Sequence, residues 1–347
     1  MKIKALFLIM CEGCNLRCDY CFFEGSFKDQ PSINPMSKKT AKMAIDTYAK
    51  YLDSDEPVII FHGGEPLLNK EVIIYALEYI GAHKKLPKKI KLAINTNGTI
   101  LDDEIKSCFL KYDVEVSISI DGDTHDKHRK DVNGRGTFDR ALATYKELNR
   151  FGVRVGLSTT LTPDNVNEDF VKWLKKHKIG MFGFNPLLDS KYKTLKKGKE
   201  FYNKVADKMI TNFEECRDAG IFEDRVMRKV KAFTKQYFYD RDCAGCGHQL
   251  SVGPNGKIGP CHAFYGMDKY FVKLTKRFNP HTNKIWKEFN NRIPLNMNQC
   301  KDCPGIGLCG GGCPFNAYVR HDSIWELDDG FCPHTLKTLE WLVWEAK

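Results

Sequence analysis

Two hydrophobic periods alternate along the first half of the chain. Residues 3–10, IKALFLIM, are a continuous apolar run of strand length. From Ser37 the period lengthens: Ala41, Ala44, Ile45, Tyr48 and Leu52 recur at helical spacing behind a serine suited to capping. PVIIF at 57–61 predicts a second strand. The pattern then predicts a helix over 70–83, a strand over 90–94, a helix over 102–111 and a strand over 114–120. It continues with a helix over 137–151, a strand over 153–161, a helix over 165–177 and a sixth strand over 181–185. Strands alternating with helices of about 10–15 residues predict an α/β fold of βα units around a parallel sheet. Ligand chemistry in such sheets sits at the C-terminal ends of the strands.

The second half reads differently. Residues 190–199 are lysine-rich and loop-like, and helices are expected over 199–219 and 222–239. From Arg241 the composition shifts to Cys, Gly, Pro and Asn with little periodicity. Such a segment is expected to lack an apolar core of its own and to need metal staples. Leu336, Leu339 and Leu342 share one face of a closing helix over 334–345. The expected organisation is an α/β domain over 1–190, a helical bridge over 191–240 and a cysteine-rich domain over 241–347.

Composition narrows the class. Of 347 residues, 42% are hydrophobic, enough for a sizeable core. No apolar run approaches the roughly 20 residues that span a bilayer. The apolar N-terminus runs into a cysteine cluster without a small-residue cleavage site, so a cytoplasmic protein is expected. The formal charge is +10. Its lysines are scattered over predicted helix ends and loops, which argues for solvated faces rather than a nucleic-acid surface.

The 14 cysteines cluster: four lie in 11–21 and eight in 243–332, leaving Cys108 and Cys216 alone as ordinary buried thiols. In a chain of this length without an export signal, that argues for metal rather than disulfides. Cys14, Cys18 and Cys21 stand at C-x3-C-x2-C spacing just after the first strand. Three thiolates can hold three corners of a [4Fe–4S] cube and leave one iron open to a small molecule. A zinc site or spare thiols is the alternative, and Cys11 could close the cube as a fourth ligand. Gly63-Gly64-Glu65-Pro66 ends strand two; the glycines allow close backbone approach and the carboxylate can accept from an ammonium group. Asn97 and Ser119 place short polar side chains at the tips of strands three and four, where turn chemistry is the plainer reading. Cys243, Cys246, Cys261, Cys300, Cys303, Cys309, Cys313 and Cys332 are eight thiols, enough for two four-cysteine clusters or two zinc sites. Gly256 predicts a hairpin turn before Cys261, and Gly310-Gly311-Gly312 a tight fold around a cluster.

Together these motifs resemble the radical S-adenosylmethionine (SAM) enzymes with a C-terminal SPASM domain, over about residues 2–187 and 241–332. The resemblance implies a partial (β/α)6, TIM-like barrel and a SPASM domain holding two auxiliary Fe–S clusters, three [4Fe–4S] clusters in all. It implies a SAM-binding cluster on Cys14, Cys18 and Cys21, with Cys11 a bystander. Tyr20 would border the adenine, Gly63, Gly64 and Glu65 the amino group, and Asn97 and Ser119 the ribose and carboxylate. Arg129, within the run His125, Arg129, Gly134 and Thr137-Phe138, would pair with the SAM carboxylate, and Asn185 would touch the adenosine. One auxiliary cluster would take Cys243, Cys246, Cys261 and Cys313, the other Cys300, Cys303, Cys309 and Cys332. Three such clusters add about −5 to the charge, leaving a modestly basic holoprotein.

The implied reaction is hydrogen abstraction by a 5′-deoxyadenosyl radical from a residue of a ribosomally made peptide, then oxidation to a thioether or carbon–carbon crosslink. The eight-thiol layout also resembles anaerobic sulfatase-maturating enzymes, which form formylglycine. Those carry aspartate, proposed as the base, where this chain has His262, and a near-neutral histidine can take a proton. A non-catalytic Fe–S electron carrier or zinc-stapled binding protein is the alternative from another class, and a small-molecule SAM dehydrogenase a third. A monomer is expected, served by an external one-electron donor, flavodoxin or ferredoxin. The chain starts at the catalytic strand, so a leader peptide is expected to bind the bridge, the SPASM surface or a separate protein.

Overall fold

The computed structural model describes residues 1–23, 33–188 and 198–345. The loop predicted over 190–199 therefore lies outside the described residues except for its last two. In chain order the strands are β1 (Ala5–Ile9), β2 (Val58–His62), β3 (Lys91–Thr96), β4 (Val114–Ser119) and β5 (Val155–Leu161). They continue with β6 (Met181–Pro186), β7 (Phe222–Glu223), β8 (Gln249–Val252), β9 (Lys257–Gly259) and β10 (Val272–Lys273). Two compact units form. One comprises Met1–Ser119, Arg129–Val155 and Ala244–Asn291; the other comprises Ile120–His128, Gly156–Cys243 and Arg292–Lys347.

In the first unit β1, β2, β3 and β4 lie side by side and parallel, so their C-terminal ends share one edge. Helices Lys38–Tyr51, Lys70–Ala82, Asp103–Lys111 and Phe138–Phe151 connect or follow them. Local chemistry sets their bounds. Ser37 accepts from Thr40 N and Asp102 from Ile105 N, each capping a helix N-terminus. Gly152, in the left-handed region at φ 86°, ends the fourth helix. Tyr48 is buried, and its hydroxyl donates to Lys4 O at 2.8 Å while accepting from Val58 N at 3.1 Å. Leu6, Leu8, Ile9, Ile59, Phe61 and Ile94 are fully buried, each contributing about 1.5–3 kcal/mol.

The segment after Arg241 corrects the sequence expectation. β8 pairs parallel with β1, with Ala5 opposite Gln249 and Leu8 opposite Val252. β9 and β10 add antiparallel strands beyond it. Gly256, at φ 72°, turns the β8–β9 hairpin as expected. Phe264, Tyr270 and Phe289 pack edge to face at 4.5–5.4 Å. Residues 244–291 thus carry an aromatic core that their scattered polar residues concealed.

In the second unit β5, β6 and β7 run parallel in that order. Around Ala232, Leu308 and Leu342 gather Phe233, Tyr239, Leu339 and Trp341. Two predicted helices are shorter than expected. The first is Phe170–His177, because the Asn165 side chain accepts from Thr162 N at 2.8 Å and donates to Thr160 O at 2.9 Å, holding a turn where the helix was expected. The second is Asp224–Thr234: Phe222 and Glu223 form β7, and the Glu223 side chain caps the helix at Arg225 N and Val226 N. The closing helix starts earlier, at Cys332. Among the described residues no helix is long and apolar enough to cross a membrane.

Candidate active site and cysteine cavity

At the C-terminal edge of the first unit, the chain leaves β1 into the cysteine loop and β2 into Gly63-Gly64-Glu65. The two segments lie backbone against backbone. Gly64 N donates to Cys11 O and Glu65 N to Gly13 O, both at 3.0 Å. A Cβ on Gly64 would stand 2.1 Å from Gly13 O and 2.4 Å from Gly13 C, so the position admits only glycine.

Cys14, Cys18 and Cys21 sit on this loop. Burial pushes the Cys14 thiol up, and the charges of Glu65, Cys18 and Cys21 push the same way. Donors face the sulfurs: Leu16 N lies 3.4 Å and Asn97 Nδ2 3.7 Å from Cys14 Sγ, and an Arg129 guanidinium nitrogen lies 4.0 Å from Cys18 Sγ. Such donors suit metal-bound thiolates, which fits a cluster at this loop. Cys14 and Cys21 are half-buried, so the loop stays accessible. Among the described residues no three His, Cys, Asp or Glu side chains are disposed around a single-ion position.

Cys11 behaves differently. It is buried, donates from Sγ to Glu65 O at 3.0 Å and Gly13 O at 3.3 Å, and burial pushes it up to about 12. It is a thiol strut between loop and glycine pair.

The strand-tip side chains hold one another. The buried Glu65 carboxylate accepts from Leu67 N at 3.1 Å, Thr96 Oγ1 at 2.7 Å and Asn97 N at 2.8 Å. Burial pushes it up to about 7 against these three donors. The Asn97 amide donates to Asn15 Oδ1 at 2.8 Å and accepts from Thr99, so it faces the cysteine loop. The Arg129 guanidinium stacks 5.2 Å over the Tyr20 ring, joining two of the expected SAM-contacting residues. Ser119 closes β4 at the same edge.

His262 follows Cys261 in a short turn after β9. Its ring stacks on Phe7 of β1 at 4.5 Å and lies 4.6 Å from His62, the residue before the glycine pair. Burial holds both imidazoles neutral, His62 down to about 4 and His262 well below its usual value. His62 Nδ1 accepts from Gly63 N at 2.7 Å, whereas His262 Nδ1 is buried with no hydrogen-bond partner. Held this far below its usual value, His262 is a weaker base than the near-neutral histidine expected from the sequence, and its open nitrogen is suited to accepting a hydrogen bond from a ligand. Tyr265, three residues on, donates to Glu12 at 2.6 Å and stacks on Phe23. His62 was missed in the sequence, although it ends a strand directly before a recognised motif.

The second unit holds a cavity of about 200 Å³ lined by Cys300, Cys303, Cys309 and Cys332, with Thr335 and Asp328 in its wall. These four cysteines are one of the two sets expected from the resemblance. Thr335 Oγ1 is buried there and directed at the Cys309 thiol, a donor suited to a metal-bound thiolate. The three glycines after Cys309 all adopt the left-handed region, at φ 70°, 81° and 67°. A Cβ on Gly310 would meet Asp242 N at 2.1 Å, so the tight wrap needs glycine. The four thiols, the volume and the buried hydroxyl fit a [4Fe–4S] cluster.

The other expected set is divided: Cys246 and Cys261 are buried in the first unit, while Cys243 and Cys313 belong to the second. Asn185, expected at the adenosine, also belongs to the second unit. Its amide donates to Ser158 Oγ at 2.6 Å and accepts from Arg225 at 2.7 Å.

A family model described as the Radical SAM superfamily matches residues 8–177. The radical SAM cyclopropyl synthase TigE of Paramaledivibacter caminithermalis is 27% identical over 95% of this chain and 72% of its own. A cysteine-type anaerobic sulfatase-maturating enzyme of Clostridium novyi is 27% identical over 88% of this chain and 86% of its own. The Fe-coproporphyrin III synthase of Methanosarcina barkeri is 34% identical over 93% of this chain and 86% of its own. Among solved structures, native anSMEcpe with bound AdoMet and the Cp18Cys peptide shares the fold at TM-score 0.81 and 21% identity, covering 98% of this chain and 96% of that one.

Proposed function

The chain belongs to the radical SAM superfamily of enzymes, and on that premise we propose that it modifies a residue of a peptide or protein substrate oxidatively. Cys14, Cys18 and Cys21 hold the SAM-binding cluster, and the two C-terminal sets hold auxiliary clusters. When bound, the first cluster and SAM supply a 5′-deoxyadenosyl radical able to take a hydrogen atom from an unactivated C–H bond. The chain's own residues orient that chemistry. Leu16 N and Asn97 steady Cys14, Arg129 braces Cys18 and Tyr20 and offers a fork to a carboxylate, and Glu65 offers its remaining lone pair to an ammonium group. Ser119 lies at the same strand edge for the ribose. His262 Nδ1 accepts a hydrogen bond from the substrate.

The observation that carries the reading is the three-thiol loop seated on the glycine pair. Support for a polypeptide substrate comes from the sulfatase-maturating relative and from a fold shared with a peptide-bound enzyme. A monomer working in the cytoplasm with flavodoxin or ferredoxin as electron donor completes the proposal.

A second reading, a tetrapyrrole substrate, is favoured by the 34% identity to Fe-coproporphyrin III synthase. Anaerobic turnover with SAM and dithionite separates the two. Peptides from neighbouring reading frames are expected to yield a product lighter by a pair of hydrogens together with 5′-deoxyadenosine. An altered iron tetrapyrrole with every peptide unchanged overturns the peptide reading.

A further inference from the structure

Lys229 lies on the helix Asp224–Thr234 of the second unit and is only 1% exposed. Its ammonium donates to Leu308 O at 3.3 Å and stands 4.5 Å from the Phe331 ring centroid and 5.9 Å from that of Tyr239. Leu308 and Phe331 directly precede Cys309 and Cys332, two of the four cysteines lining the cavity, and Phe331 itself lines it. A buried ammonium needs a counter-charge. Among the described residues no carboxylate stands within salt-bridge distance of Lys229. The acid facing it, Asp242, lies 3.7 Å from Arg225, and nearby Arg228 pairs with Asp224. Burial pushes the Lys229 ammonium down while the charge of Asp242 holds it up. The cavity lies beyond Phe331, on whose ring the ammonium rests.

We propose that Lys229 is a positioning cation that raises the reduction potential of the cluster held by Cys300, Cys303, Cys309 and Cys332. This rests on the auxiliary-cluster reading above. One-electron reduction takes a four-thiolate [4Fe–4S] cluster from about −2 to about −3. A fixed positive charge in a low-dielectric wall stabilises the more negative state. Arg292, buried and donating to Gly311 O at 2.8 Å, adds a second cation whose guanidinium is shared among backbone carbonyls. Lys229 is the one aimed at the two ligand-bearing turns. A cluster so tuned is the better acceptor for an electron left by an oxidised substrate.

The test uses the full chain, reconstituted anaerobically as wild type, Lys229→Met and Lys229→Arg. Iron is counted, and each cluster potential is then read by EPR-monitored titration with dithionite. The cavity cluster is assigned by the signal lost in Cys300→Ala. The Met variant is expected to keep about 12 irons. Its cavity cluster should be at least tenfold harder to reduce, a fall of about 59 mV for one electron, with the other two potentials unmoved. The Arg variant should stay near wild type. Should Met lose the cluster, Lys229→Gln, which keeps a donor for Leu308 O without the charge, carries the same expectation. Full iron with an unmoved cavity potential in the neutral variant overturns this inference alone. About four irons in the wild type overturns it together with the auxiliary clusters.

Discussion

Gly64→Ala tests the join between the cysteine loop and the glycine pair. The added methyl would stand 2.1 Å from Gly13 O, 2.4 Å from Gly13 C and 2.9 Å from Glu12 O, all backbone atoms with no rotamer to yield. Relief requires a shift of more than an ångström, which breaks the 3.0 Å bonds from Gly64 N to Cys11 O and from Glu65 N to Gly13 O. Leaving these groups unmatched costs about 1–3 kcal/mol each, so the variant should lose roughly 3–5 kcal/mol. At about 2 °C per kcal/mol for a protein of this size, the apoprotein midpoint should fall by about 6–10 °C. Displacing the loop also scatters Cys14, Cys18 and Cys21, so about four irons per chain should be lost after reconstitution. Calorimetry and an iron assay on anaerobic protein check both outcomes. Gly180→Ala is the control, since its Cβ would meet nothing within 4 Å. Wild-type stability and iron content in Gly64→Ala would refute the close-packed join.

Other expectations follow from the same edge. Cys11→Ala should retain wild-type iron content, because the Cys11 thiol donates to Glu65 O and Gly13 O; loss of the N-terminal cluster would make it a ligand instead. Glu65 has its folded pKa raised from 4.5 to about 7, so the native state binds its proton more tightly than the unfolded chain does. Apoprotein stability should therefore fall by about 3 kcal/mol as pH rises from about 4.5 to 7, and Glu65→Gln should flatten that slope at a lower plateau. Urea midpoints equally pH-dependent in both proteins would contradict the assignment. Tyr265→Phe removes the 2.6 Å bond to Glu12 and should destabilise the first unit by about 1–2 kcal/mol, read as a lower melting midpoint; an unchanged midpoint counts against it.

Much of this fold was legible because its parts are long and locally consistent. The helices at Lys38–Tyr51 and Asp103–Lys111 carry their own caps, Ser37 and Asp102, ahead of a periodic apolar face. What escaped was short or long-range. β8, β9 and β10 span four, three and two residues, too few for a period to register. Their placement beside β1 depends on a pairing nearly 250 positions apart in sequence, which brings His262 onto Phe7. Lys229 reads in sequence as one more lysine on a basic helix; only the fold turns it inward against Leu308 and Phe331.

The strand tips show why a motif of ligand-facing residues can also be a motif of structure. A carboxylate offers about four acceptor sites. Three at Glu65 are taken by Leu67 N, Thr96 Oγ1 and Asn97 N, so this side chain joins β2 to β3 before any ligand arrives. Asn97 extends the join to the cysteine loop through Asn15 and Cys14. Fixing these groups in the apoprotein removes the entropy of ordering them later, and a cluster and its ligand meet a formed edge. It follows that replacing Glu65 or Asn97 should disturb cluster assembly and SAM affinity together. Arg129, which reaches Cys18 from the segment after β4, braces the same loop independently. Asn97 meets Glu65 through its backbone N–H, which a side-chain replacement leaves in place, while its amide reaches Asn15 and Cys14; replacements at Glu65 and at Asn97 therefore remove different bonds, and their losses should add.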